Sequence, residues 1–347
     1  MSGPARQVAV VGAGIAGLVA ARRLADAGLA VTVFDKSRGA GGRCATRRSE
    51  VGPFHHGVAS FGAHSSTFRE TLLHWQARGW VQAAAEETSQ RRWVGTPTMN
   101  ALARQLAAGL ALRTEHTVQA PQRAADGRWQ LSTTEHGLLP DPYDALLLAV
   151  PAEQARPLCR ASELLQQALA GVHSQACWTL MLGWPAGAAP AALPTPETLA
   201  TGNNGGVIAE VVDVSGLPAD ATAGAGTRWV LHASAAWSAA NVELPAAEAT
   251  SQLLQALAVA TASSGALPAP AHAVAHRWRY AQVAAPAAGA CGWDAALRLG
   301  SCGDAWAGSD TADVGTGTGT GRLAEGVERA WLSGRALASA ALAELSP

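Results

Sequence analysis

The sequence predicts an α/β fold: a doubly wound parallel sheet with a β-meander, and an inserted α+β domain beside it. Three features predict this. The N-terminus holds a strand, a glycine turn, a helix and a second strand in immediate succession. Two later apolar runs, Ala145 to Val150 and Leu297 to Cys302, read as further buried strands. Long segments of different character separate them, and at 347 residues the chain exceeds the roughly 250–300 residues at which single cores stop growing.

Composition bounds the function. At 48% hydrophobic and 15% charged, the chain has material for a large core and does not read as disordered. Lys+Arg is 25 against Asp+Glu 26, so no broad basic footprint for nucleic acid exists. Cys44, Cys159, Cys177, Cys291 and Cys302 form no CxxC pair, which argues against a disulfide framework and a structural zinc. The apolar run Val8 to Val11 is too short for a signal-peptide core of about 7–15 residues. No stretch approaches the ~20 apolar residues of a spanning helix. A cytoplasmic protein without a membrane partner is expected.

The first element, Gln7 to Val11, reads as a buried parallel strand. It runs into Gly12-Ala13-Gly14-Ile15-Ala16-Gly17, then a helix from about Leu18 to Ala27 ended by Gly28. A second strand, Ala30 to Phe34, closes on Asp35. This is the Rossmann-like βαβ unit. Gly12 permits the tight turn, Gly14 lets the backbone approach a pyrophosphate, and Gly17 lets the helix pack on the strands. The helix N-terminus offers N–H groups and a positive dipole end. Asp35 is placed to accept ribose hydroxyls.

The following loop selects the dinucleotide. In Asp35-Lys36-Ser-Arg38-Gly-Ala-Gly41-Gly42-Arg43-Cys-Ala-Thr46, a double glycine lies between two arginines. The glycines bring a turn close to phosphates, and the guanidinium forks can serve pyrophosphate and ribose. A plain NAD domain has no reason for this second loop, so FAD, bound non-covalently, is expected.

Later blocks return to the same domain. Leu110–Val118 and Gly127–Thr133 read as a small β-meander, and Ala145–Val150 as a buried strand before Pro151. Leu297 to Gly303-Asp304 is a strand ending where Asp304 can meet the cofactor. A C-terminal helix runs from Leu323 to about Leu342, with Val327, Ala330, Trp331, Gly334 and Leu337 on one face. The nucleotide domain is thus expected over 1–53, 95–169 and 290–347, and the substrate domain over 54–94 and 170–289. The latter holds a helix at Thr67–Arg78, strands at Cys177–Leu182, Gly206–Val212 and Arg228–Ser234, and a helix at Pro245–Ala260. Runs at 185–193, 218–226 and 265–270, and the Gly/Thr alternation from Gly315 to Gly321, read as loops.

Taken together, the glycine fingerprint, the Arg38–Thr46 loop, Trp93-Val-Gly-Thr-Pro97-Thr98-Met99-Asn100, Leu147-Leu-Ala149-Val-Pro151, Trp229 to Trp237, Ala275-His-Arg277-Trp278-Arg279-Tyr280, Gly303-Asp304 and the Val327–Gly334 block resemble the renalase-like branch of the amine-oxidase flavoproteins. The resemblance departs at Phe54-His55-His56-Gly57-Val58-Ala59-Ser60-Phe61, where the family's Asp, Gln and Tyr are missing. It implies FAD contacts from Gly12, Ala13, Gly14, Ile15, Ala16, Gly17, Asp35, Lys36, Arg38, Gly41, Gly42, Arg43, Thr98, Met99, Val118, Ala149, Pro151, Gly303, Asp304 and Val327. It also implies hydride transfer from a dihydropyridine, such as an isomer of a nicotinamide dinucleotide, with oxygen as acceptor.

Candidate substrate contacts are His56 and His232, each equally readable as a core histidine. Trp237 and Trp278 are candidate pocket walls, with plain core packing the favoured reading, and Arg277 and Arg279 candidate anion contacts, with surface or structural pairing favoured. The composition weighs against amine oxidation. Family amine oxidases typically set a lysine near the reactive flavin nitrogen and often flank the amine with aromatic residues. Lys36 is the only lysine, at the adenine end, and the tyrosines are Tyr143 and Tyr280 alone. An amine oxidase, another flavin oxidase or desaturase of a small aromatic substrate, and a silent flavin-binding interaction module remain as alternatives.

Overall fold

The computed structural model describes residues 5–84, 91–190, 192–195, 199, 206–216, 226–307 and 322–345. The Gly/Thr run at 315–321 lies outside them, as does nearly all of the loop expected at 218–226.

The nucleotide unit is a mixed α/β layer around a six-stranded sheet. Its order is Gly292–Asp294, Leu299–Ser301, Ala145–Leu148, Gln7–Val11, Ala30–Phe34, Ala111–Arg113. Every pairing is parallel except the antiparallel edge strand Gly292–Asp294. The central strand Gln7–Val11 is covered on both faces, which is why it reads as continuous Val and Ala. Helices Ile15–Asp26, Ser66–Ala77, Met99–Ala107 and Arg322–Leu345 cover one face through Leu18, Leu24, Phe68, Trp75, Leu102, Trp331 and Leu337. Trp129, Tyr143, Leu165 and Trp306 cover the other.

The N-terminal helix starts at Ile15, three residues before the expected Leu18, because the glycine turn runs straight into it. Much of the segment expected in the substrate domain behaves differently. Phe61, Phe68, Trp75, Val81 and Trp93 pack into the helix layer of the nucleotide unit. The meander resolves into the sheet strand Ala111–Arg113 and two short pairs, 122–123 with 129–130 and 132–133 with 137–138.

Gly334 sets the distance between the terminal helices. A Cβ there would lie 2.3 Å from the Ala16 carbonyl oxygen, so the backbones touch. Gly334→Ala is therefore expected to destabilise by about 1–3 kcal/mol through overpacking. A lowered midpoint in urea denaturation, with unchanged slope, checks it.

The second unit is an antiparallel sheet in the order Ile208–Asp213, Thr227–Ala233, Ser174–Trp184, His272–Val283. Successive side chains alternate between its faces. The outer face presents Trp178, Leu180, Leu182, Trp184 and Leu231 to Leu253 and Leu257 of the helix Ala246–Thr261. The inner face presents Met181, Val230 and Val274 to Phe54 and Ala59. Sequence reading missed the twelve-residue strand His272–Val283, whose alternation is masked by its charged and aromatic residues. Among the described residues, no helix is long and apolar enough to cross a membrane.

Candidate functional site

The glycine turn is built by close approach. Gly12 has φ +110°, and a Cβ on it would lie 2.4 Å from the Ala149 carbonyl oxygen. A Cβ on Gly17 would lie 2.0 Å from the Gly12 carbonyl oxygen. At Gly14, by contrast, a Cβ would meet nothing within 4 Å. The helix behind it has no side-chain N-cap. Open space in front of an uncapped helix start fits an anionic diphosphate.

Asp35 buttresses this turn. Its Oδ2 accepts the Ala13 N–H at 2.7 Å, and its Oδ1 the Ser37 N–H at 2.7 Å. Each oxygen keeps a lone pair for a hydroxyl. The Gly41 N–H donates to the Ala13 carbonyl at 3.0 Å, laying the second loop over the first. Lys36 and Arg38 are exposed beside it.

Other sequence candidates sit around this cradle with different tasks. Ala149 forms the floor under Gly12 and Gly17, and Pro151 starts the helix Ala152–Leu158. Thr98 donates to Asn100, and the Asn100 N–H donates to Thr46 Oγ1 at 3.3 Å. Met99, Val118 and Val327 are buried in the cores. The Gly303 N–H donates to Ser333 Oγ at 3.1 Å.

Arg43 and Asp304 were read separately as cofactor contacts; the structure pairs them with each other. Nη1 donates to Asp304 Oδ2 at 2.5 Å and Nη2 to Oδ1 at 2.6 Å. Nη1 also reaches the Ala281 carbonyl at 3.2 Å, on the strand arriving from the second unit. Asp304 is 4% exposed. Burial works against the Arg43 charge, but the adjoining carboxylate more than offsets it and holds the guanidinium above its ordinary pKa. A Cβ on Gly326, in the first turns of the C-terminal helix, would lie 3.7 Å from Asp304 Oδ2. The positive helix end thus flanks the same carboxylate.

Glu328, expected from the sequence to cap or pair structurally inside the C-terminal helix, is a buried clamp. Its carboxylate accepts the His64 N–H at 2.8 Å, the Ser65 N–H at 2.7 Å and the Ser65 hydroxyl at 2.5 Å. This fixes the start of the helix Ser66–Ala77 against the C-terminal helix.

The inner sheet face carries the second half of the site. Glu210, His232, Thr179 and His276 lie in one register across the sheet. His232 Nδ1 stands 3.6 Å from Glu210 Oε2. His276 contacts His56 edge-on at 4.8 Å and Trp278 at 4.6 Å, while His56 stacks on Trp278 at 5.0 Å. The Trp278 indole N–H donates to the His56 carbonyl at 2.9 Å, and Gly57 has no room for a Cβ between Arg43 and Trp278.

Burial, with the Arg228 charge, lowers His55 to about 4. Burial, with His276 and Arg47, lowers His56 to about 3. Both imidazoles are therefore neutral at pH 7. Neither ring nitrogen of His55, nor Nδ1 of His56, nor either nitrogen of His232 has a hydrogen-bond partner among the described residues. Unpaired buried polar atoms are costly, which makes this wall a candidate for contact with a ligand. Among the described residues, no cluster is arranged to hold a metal.

His56, His232 and Trp278 are thus brought to one wall, joined by His276, which sequence reading missed. Trp237, Arg277 and Arg279 are not. Trp237 packs with the outer-face core. Arg277 donates to the Val242 carbonyl and, with Arg279, pairs with Glu243 at 3.1 and 2.8 Å. The reason is the period of two: residues 276 and 278 face inward, so 277 and 279 face outward.

Comparison with known proteins places the chain. A description of the NAD(P)-binding Rossmann-like domain matches residues 10–73, and that of the flavin-containing amine oxidoreductases matches residues 57–342. The chain belongs to the flavin-containing amine oxidoreductase family. It is thus a flavin-dependent oxidoreductase of the amine-oxidase type. Among solved structures it resembles a putative protoporphyrinogen oxidase from Exiguobacterium sp. 255-15, with TM-score 0.67 and 13% identity over 98% of this chain and 100% of that one. It also resembles the cyclohexylamine oxidase of Brevibacterium oxydans IH-35A, with TM-score 0.62 and 12% identity over 99% of this chain and 100% of that one. These likenesses show the shared fold. A segment of 39 residues, 11% of this chain, is 59% identical to a zeta-carotene-forming phytoene desaturase of Myxococcus xanthus, covering 8% of that relative.

Proposed function

We propose that this flavoprotein binds FAD and takes a hydride from a dihydropyridine, such as an isomer of a nicotinamide dinucleotide, with oxygen as the final acceptor, in the manner of the renalase-like enzymes. The observation that carries the reading is the wall His56–His276–Trp278: neutral imidazoles and an indole, with no lysine. The sole lysine, Lys36, is exposed on the turn after the strand Ala30–Phe34.

Bound FAD would supply the two-electron acceptor that side chains lack. Around it, each group has a physical task. The turn Gly12–Gly17 and the helix start behind it would hold the diphosphate. Asp35 would accept ribose hydroxyls with its remaining lone pairs. Arg43 has donors left over from Asp304 to offer a phosphate or ribityl oxygen. The ring faces of His56 and Trp278 would orient a flat donor and exclude water. In balance, dihydropyridine, oxygen and one proton become pyridinium and hydrogen peroxide, so no lysine or other base is required to free an amine.

Oxygen uptake tests this. Reduced nicotinamide isomers are expected to drive oxygen consumption with stoichiometric peroxide, and benzylamine or a polyamine is not. Faster uptake with an amine would promote amine oxidation in its place.

A further inference from the structure

Arg47 belongs to a short hairpin strand, Arg47–Ser49, and its register partner is Phe54. The Phe54 ring stacks on His272 at 5.2 Å. His272, Val274, His276 and Trp278 share the inward face of their strand. Arg47 therefore stands, exposed, at the edge of the wall that carries His276 and Trp278. Its charge acts on His56, on His272 and on His276, in each case disfavouring a second positive charge there.

The carboxylates lie elsewhere. Glu50 acts on His272, and Glu210 faces His232 across the sheet. Asp213 acts on Arg228, a buried cation that itself adds positive charge at His55. The Arg228 guanidinium is occupied by the Val51 and Ser215 carbonyls. At His56 and His276 the charged or titratable groups that act are the Arg47 cation and the imidazoles of His276 and His232. At this corner, formed by His56, His276 and Trp278, the buried Nδ1 of His56 has no hydrogen-bond partner among the described residues.

A protonated amine entering this corner would lose water and meet like charge. An anionic group on a flat ring would stack on Trp278 and His56 and find Arg47. We propose that this corner selects a planar donor bearing an anionic group over a protonated amine, with Arg47 as the specificity-determining residue. The proposal rests on reading the inner face as the donor pocket.

The test uses three unreactive ring compounds of one shape and different charge: benzoate, benzamide and benzamidine. Binding to the flavin-loaded protein at pH 7 is read from perturbation of the flavin absorbance and from equilibrium dialysis. Benzoate is expected to bind at least about tenfold tighter than benzamidine, with benzamide between them. Arg47→Gln should bring that ratio below about threefold, and Arg47→Lys should restore part of it. Arg47 is exposed, so neither variant threatens the fold. Benzamidine binding as tightly as benzoate, a ratio unchanged in Arg47→Gln, or no benzoate binding at all would each overturn the proposal. The two readings fail separately. A benzoate preference that needs Arg47, in a protein that dihydropyridines cannot bleach, would refute only the donor assignment. Dihydropyridine bleaching without any charge preference would refute only the role of Arg47.

Discussion

Arg43→Ala is expected to lower the stability of the protein by about 3–5 kcal/mol, the cost of leaving a buried carboxylate without its partner. Asp304 is 4% exposed, and Arg43 meets both of its oxygens. Arg43 itself is 28% exposed in its side chain, which favours the lower end of that range. The same change removes the tie to the Ala281 carbonyl, so it loosens the junction between the two units as well. Replacing both partners, Arg43→Ala with Asp304→Asn, should recover most of the loss, because no buried charge is then stranded. Under the FAD placement proposed above, Arg43→Ala should also weaken FAD binding by about 2–3 kcal/mol. Urea denaturation of all three proteins checks the first claim and flavin titration the second. A single variant melting with the parent would show that the pair contributes nothing to the fold.

The second large effect is acid lability. His55 and His56 titrate at about 4 and about 3 in the folded protein, against about 6.5 unfolded. Between these values the unfolded chain binds protons that the folded chain refuses. Stability from these groups is therefore complete above about pH 6.5 and falls as the pH drops toward 4 and 3. The slope is about 1.4 kcal/mol per pH unit for each histidine within its window, so about 3 for the pair. Arg228, Arg47, His276 and His232 are the charged or titratable groups that act on them, and protonation of His276 steepens the loss. Denaturation midpoints between pH 7 and pH 4 should fall steeply in the parent and less so in His55→Asn/His56→Asn. Parallel pH profiles would mean that these imidazoles are not buried as neutral groups.

What the sequence disclosed follows the range of the interactions. The turn Gly12–Gly17, the helix behind it and the strand ending at Asp35 are contiguous; Gly12 and Gly17 are required by clashes within the motif or at Ala149, while Gly14 fronts open space. The Arg43–Asp304 pair spans 261 positions, so two residues each assigned to the cofactor could not be seen to answer one another. A structural role for Glu328 was legible, but not its partners His64 and Ser65, which lie over 260 positions away. Arg277 and Arg279 are different. Their outward orientation was available from the alternation of the strand, had His272–Val283 been read as one. That reading also brings His276 onto the wall with Trp278 and leaves Arg277 and Arg279 to the structural pairing with Glu243 that the sequence already favoured.

The central claim is that the wall of His56, His276 and Trp278 receives a flat hydride donor rather than an amine. Anaerobic stopped-flow mixing measures it most directly, by following loss of the oxidised flavin band. Dihydropyridines, including off-pathway nicotinamide isomers, should reduce the flavin at least about tenfold faster than benzylamine, a margin of about 1.4 kcal/mol in the barrier. Faster reduction by benzylamine or a polyamine would contradict the account.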